Sequence, residues 1–214
     1  MRLRLALDMR RLKEIQSLER KIEAKREMLP DYVEWVDNLL AAADEAGRGV
    51  QDEVLVTVMI WRIDVGDYAG AVPLIDYVLR WNLALPERYT RTAATLIVEE
   101  IAEAALKRIG LGEDFPIDVL ETVGLLTEDA DMHDEVRAKL IKAIGLLRVA
   151  AIGSDEDATD GAAGARRAAL EQALGTLKRA RELDARAGVA KAIEKIERDL
   201  KKGAASAVAP AQTA

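Results

Sequence analysis

Val54-Leu55-Val56-Thr57-Val58-Met59-Ile60-Trp61 decides the fold, because its β-branched residues suit a strand while its setting suits a helix. The run lies within residues 50–65, longer than an ordinary strand. The Asp52-Glu53 pair stands where a helix favours negative charge, in its first turn. No second segment of comparable strand character is present, and a lone strand would have no partner for its backbone groups. The expectation is a buried helix, and with it an all-α chain.

Working outward, Gly66-Asp67 reads as a turn into a helix over 68–83, in which Pro73 should cause a kink or mark a later start. Pro86 opens a loop. Thr90 to Ile109 follows as a helix with Ile97, Ile101, Ala104 and Ala105 inward, closed by Gly110 and Gly112. A short helix over 117–126 and a longer one over 132–152 come next, the latter with Val136, Leu140, Ala143, Ile144 and Leu147 on one stripe. Upstream, Gly47 and Gly49 end a helix over 31–46 that Asp31 should cap, with Tyr32, Val36, Leu39 and Leu40 on one face.

Residues 2–29 contain no glycine or proline and predict one helix. Ile15, Leu18, Ile22 and Leu29 form a three–four seam interrupted by Lys25, which reads either as a coiled-coil contact between copies or as a helix laid on the body. After residue 152, Gly153–Gly164 reads as a flexible acidic loop and residues 165–184 and 187–202 as helices. Val189, Ile193, Ile196 and Leu200 make a second short seam, and 203–214 is a small-residue tail expected to be disordered.

The eight aromatic residues all fall between Tyr32 and Phe115, so the best-packed core belongs there. The division expected is a basic helical arm at 1–29, an aromatic-rich helical core at 30–127, a C-terminal helical layer at 128–202 and the tail. Gly66, Ala71, Ile75 and Val78 match the second half of a tetratricopeptide repeat, and Ala168, Ala173, Leu177 and Ala180 repeat that spacing more weakly. The fold class is thus an N-terminal amphipathic, coiled-coil-like helix followed by stacked helical hairpins, partly tetratricopeptide-like.

Composition narrows the chemistry. With no cysteine, the chain has no disulfides, thiol nucleophile or cysteine–zinc site. No apolar run approaches the ~20 residues of a membrane span, so no membrane partner is expected and a cytoplasmic location is. The net charge of −7 is unevenly placed: residues 1–29 hold nine basic and five acidic side chains, the remainder 22 and 33. A basic arm on an acidic body suits phosphate-backbone contacts by Arg2, Arg4, Arg10, Arg11, Lys13, Arg20, Lys21, Lys25 and Arg26. A solvated helix face would carry the same residues. No aromatic is interleaved among them, so stacking on single strands is not supported.

Catalytic patterns are sparse. The nucleotide-binding Gly-x-x-x-x-Gly-Lys-Ser/Thr loop is absent. His133 lies among carboxylates and reads as an exposed residue at a helix start. Asp52, Asp64 and Asp67, with Glu53, are the one carboxylate set with the character of a magnesium site, but helix-terminus charge and turn capping explain all four and are the favoured reading.

Residues 51–67, continuing to Gly70-Ala71, resemble the central block of the small terminase subunit of temperate, contractile-tailed phages with cohesive DNA ends. Leu29-Pro30 with Trp35, Pro86, Arg91-Thr92, Glu99-Glu100, the run Asp134–Leu140, and Leu183-Asp184 with Ala187-Gly188-Val189 agree with it. The resemblance spans about residues 29–202. It implies a part in genome packaging: recognising the cohesive-end region of double-stranded viral DNA, assembling as a homo-oligomer, and engaging the large subunit that carries the ATPase. The seams at Ile15, Leu18, Ile22 and Leu29 and at Val189, Ile193, Ile196 and Leu200 are the oligomerisation candidates. Such proteins are also described as the endonuclease subunit, which would require magnesium; a third reading is a protein-only packaging scaffold. Otherwise no cofactor is expected. Family members carry further residues before the first helix and often a basic tail, whereas here the tail is uncharged beyond Lys201-Lys202.

Overall fold

The computed structural model describes residues 1–152 and 160–208, with the side chains of 160–163 and 204–208 left aside. The described residues form α-helices joined by turns, with no strand among them. The chain divides into two compact units, residues 1–100 with 125–131 and residues 101–124 with 132–214.

The first unit is built around α4 (Glu53–Val65), the segment of ambiguous propensity. Every residue from Val54 to Trp61 is buried, so this helix is covered all round and has no polar face to announce a period. Asp52 starts it by accepting the Leu55 amide at 2.8 Å. Gly66, at φ +79°, closes it: its amide reaches Ile63 O, and the Asp67 amide reaches Arg62 O at 2.8 Å. That Schellman pair requires the left-handed conformation glycine supplies. Asp67 then caps α5 (Tyr68–Arg80) through the Gly70 amide, and α4 and α5 pack together. Ala71, Ile75 and Val78 are the fully covered residues of α5.

Around α4 lie α1 (Arg2–Glu14), α2 (Leu18–Met28) and the 3-10 segment Leu29–Tyr32 that leads into α3 (Val33–Ala46). Tyr32 is wholly buried and meets the Trp61 ring edge-on, centroids 5.8 Å apart. Asp31 does not cap α3; it pairs with Arg4, and Tyr32 stands at the cap position without a side-chain capping bond.

Residues 2–29 do not form one helix. Ile15 turns extended, and Ser17 opens a new helix by accepting the Arg20 amide at 3.4 Å. A serine cap and a β-branched residue break the run where no glycine or proline signals it. α5 starts at Tyr68 and runs through Pro73, so the later start does not occur. Thr92 begins α6 (Ala93–Gly110) by accepting the Thr95 amide.

In the second unit, α7 (Ile117–Leu126) contributes Val119, Leu120 and Val123 to the buried set. α8 (Asp134–Ala151) packs on α9 (Asp160–Leu183) where Gly145 leaves room: a Cβ there would stand 2.6 Å from Leu177 Cδ2. α10 (Ala190–Val208) closes this layer, setting Val189, Ile193 and Ile196 against Leu170 and Leu177. Of the expected loop at 153–164, residues 160–164 belong to α9 and residues 153–159 lie outside the described residues. Of the expected tail, residues 203–208 continue α10 and residues 209–214 lie outside.

Candidate nucleic-acid interface

On α1, Leu5 and Leu12 point into the core, which fixes the direction of every other side chain. At 100° per residue, Arg2, Arg10 and Lys13 fall within about 80° of one another on one flank of the helix, and all three are exposed. None of the three has a carboxylate partner among the described residues, and neither do Arg20 and Lys21 at the start of α2. The remaining cations of the arm are engaged. Arg4 pairs with Asp8 and Asp31, and Arg11 with Glu27 at 2.9 Å. Arg26 donates to Glu23 and to the carbonyl of Val65.

Lys25 has a different role from its neighbours. Its ammonium lies 2.5 Å from Asp64 Oδ2, with the two side chains 16% and 28% exposed, and ties α2 to the end of α4. Replacing Lys25 with alanine should lower stability by about 1–3 kcal/mol, because a half-buried carboxylate loses its partner. Asp64→Ala in the same background should then add less than it does alone. Urea unfolding of the four-member cycle measures this, and strictly additive losses would show the pair does not act as one.

Tyr32 fastens α1 to the core by donating to Asp8 Oδ2 at 2.7 Å. Burial, and then the bond to Asp8, push its phenol well above the ordinary tyrosine range. A group raised in the folded state supports folding fully below its unfolded pKa, here about 10, and loses that support as pH rises beyond it. Stability should therefore fall above about pH 10, and Tyr32→Phe should flatten the decline while costing about 1–2 kcal/mol at neutral pH. Unfolding midpoints across alkaline pH test both; an unchanged slope in the variant would refute the assignment.

The three carboxylates considered for metal chemistry are not gathered into one site: Asp64 and Asp67 lie at one end of α4 and Asp52 at the other. Asp52 opens α4 and Asp64 stands near its other end, so about 18 Å of helix rise separates their backbones. Asp52 accepts from Leu55 and from Trp35 Nε1, Asp64 holds Lys25, and Asp67 caps α5 while pairing with Arg62 at 2.5 Å. Among the described residues no group of three or more His, Asp or Glu is placed to hold a metal ion. His133 is exposed at the N-cap of α8.

The two apolar seams are placed as follows. Ile15 sits in the break between helices, Leu18 is 71% exposed, Ile22 is half-buried and Leu29 lies buried in the 3-10 segment, so the four share no single helical stripe. Val189, Ile193 and Ile196 are buried by this chain's own helices, with Leu200 partly so.

Fold and site together define a helical protein in which, among the described residues, several cations of the N-terminal helices have no carboxylate partner and Asp52 stands apart from Asp64 and Asp67. The family profile described as phage small terminase subunit matches residues 2–135, and the chain belongs to that family. It is 42% identical over 201 residues to the "Terminase, endonuclease subunit" of Escherichia phage P2, covering 94% of this chain and 73% of that protein. It is 24% identical over 183 residues to the "Probable terminase, endonuclease subunit" of Haemophilus phage HP1 (strain HP1c1), covering 82% of this chain and 60% of that protein. No solved structure matches the chain. No helix among the described residues is long and apolar enough to cross a membrane.

Proposed function

We propose that this chain recognises double-stranded viral DNA near cohesive ends and, as a homo-oligomer in the cytoplasm of the host cell, presents it to the large ATPase and nuclease subunit of a packaging terminase. Family membership supports the packaging role. The observation that carries the DNA contact is the set Arg2, Arg10, Lys13, Arg20 and Lys21, cations without a carboxylate partner among the described residues, on a chain of net charge −7. Phosphates fit such a surface, and an acidic body would confine the duplex to it. We read the α4–α5 hairpin, with Ala71, Ile75 and Val78 inward, as the tetratricopeptide-like element on which partner helices stack.

Self-association draws its support from an exposed apolar surface of which the seams indicated only Leu18. Leu3 and Leu7 are 77% and 55% exposed one turn apart on α1, and Leu18 on α2 is 71% exposed. Light scattering should return a mass well above the 23.4 kDa of one chain, and Leu3→Asp with Leu7→Asp should lower it. A constant monomer mass would contradict assembly.

The second reading is a magnesium-dependent endonuclease; both relatives are described as a terminase endonuclease subunit, one of them as a probable one. It would have to work without Asp52 beside Asp64 and Asp67, since Asp52 stands at the opposite end of α4. Incubating the purified chain with cohesive-end duplex, with and without magnesium, separates the two. Retarded but intact DNA is expected; magnesium-dependent cleavage abolished by Asp64→Asn would establish the enzyme instead.

A further inference from the structure

α10 is the most sharply two-sided helix of the chain. Val189, Ile193, Ile196 and Leu200 cover its inner side, and Lys191, Lys195, Arg198 and Lys202 recur at four-, three- and four-residue steps on the outer side. At 100° per residue these four cations fall within about 60° of one another, opposite the buried seam. All four are exposed.

They are also partnerless. Several cations elsewhere in this unit are matched: Lys139 with Glu103, Arg148 with Glu121, Arg167 with Glu171, Lys178 with Glu197, Arg179 with Glu182, Arg186 with Glu135; Lys107, Lys142, Arg181 and Lys201 are not among the described residues, but these do not line up on one face. Glu194 and Asp199 stand within a turn of the stripe, yet no carboxylate among the described residues lies at ion-pair distance from any of the four. The helix macrodipole does not account for them, because α10 continues to Val208 and carries no base in its last turn. The adjoining surface is positive as well. The hydrogen bond and charge of Lys178, with Lys201 and Arg181 nearby, hold the Glu197 carboxyl below its ordinary range.

We propose that the outer ridge of α10 is a second DNA-backbone contact, distinct from the N-terminal cations, in which Lys191, Lys195, Arg198 and Lys202 track consecutive phosphates of duplex DNA. The inference rests on the DNA-binding reading above. The ridge is about 16 Å long at 1.5 Å per residue, and one strand presents a phosphate about every 3.4 Å along the duplex axis. No large apolar side chain interrupts it, which suits a phosphate backbone better than the apolar-centred patch of a protein interface.

The test compares three full-length proteins on one cohesive-end duplex across a salt series: the unaltered chain, a stripe variant and a charge-matched control. The stripe variant carries Lys191→Gln, Lys195→Gln, Arg198→Gln and Lys202→Gln. The control carries Arg80→Gln, Arg108→Gln, Arg167→Gln and Arg179→Gln, residues that already hold carboxylates. Circular dichroism should show all three folded, since the stripe contacts nothing inward. The stripe variant should reduce the salt slope by up to about 3.6, at about 0.9 per phosphate contact, and the control by far less. Equal losses in the two variants overturn the proposal, because net charge alone would explain them. Undiminished affinity and slope in the stripe variant also overturn it and leave the ridge to an acidic protein surface. If the unaltered chain fails to bind DNA at low salt, both this contact and the DNA-binding reading fall together. An arm variant that loses binding while the stripe variant does not defeats this contact alone.

Discussion

Replacing Trp61 with alanine is expected to lower stability by about 3–5 kcal/mol, the range for emptying a large, well-packed aromatic site. Trp61 is 2% exposed on a helix enclosed on all sides, and its ring is the wall against which Tyr32 packs edge-on. The cavity would loosen Tyr32, and with Tyr32 its bond to Asp8 on α1. Domains hold about 5–15 kcal/mol in all, so one such change consumes a large share. Trp61→Phe keeps much of the volume and should cost appreciably less. Chemical denaturation followed by circular dichroism measures both; a loss under about 1 kcal/mol for Trp61→Ala would show that α4 is not the central helix.

Neutralising Arg10, Lys13, Arg20 and Lys21 together should weaken duplex binding on the order of a thousandfold at about 0.1 M salt. Each phosphate contact contributes about 0.9 of a decade there, and the salt slope should drop by up to about 3.6. These four are chosen because each lacks a carboxylate partner among the described residues. Arg11 and Lys25 hold Glu27 and Asp64, so neutralising that pair should cost stability and leave the slope nearly unchanged. If the first variant binds like the unaltered chain while the second loses the slope, the roles given to these cations are reversed.

The helical character of the chain was legible because its caps are local. Asp52, Gly66 and Asp67 announce both ends of α4 and the start of α5 within a few residues, and they overrode the strand preference of Val54–Trp61. That preference competed because a helix covered on every side shows no period of 3.6. The break at Ile15–Ser17 was not legible, since its cause is a serine cap and not a glycine or proline. Neither was the sorting of basic side chains. Asp31, Glu27 and Asp64 arrive from distant parts of the sequence to engage Arg4, Arg11 and Lys25. The ridge on α10 escaped for a related reason. Charge counted along the sequence averages Lys191, Lys195, Arg198 and Lys202 with Glu194, Glu197 and Asp199, and only resolving the helix into faces separates them.

The central claim is that this member of the small terminase family holds duplex DNA by its phosphate backbone. The most direct measurement is the affinity of the unaltered chain for cohesive-end double-stranded DNA as a function of salt. Five partnerless cations on the N-terminal helices alone predict a log–log slope of about −4.5, and engagement of α10 as well would steepen it toward about −8. Absence of binding at low salt, or an affinity that stays flat as salt rises, would contradict the account.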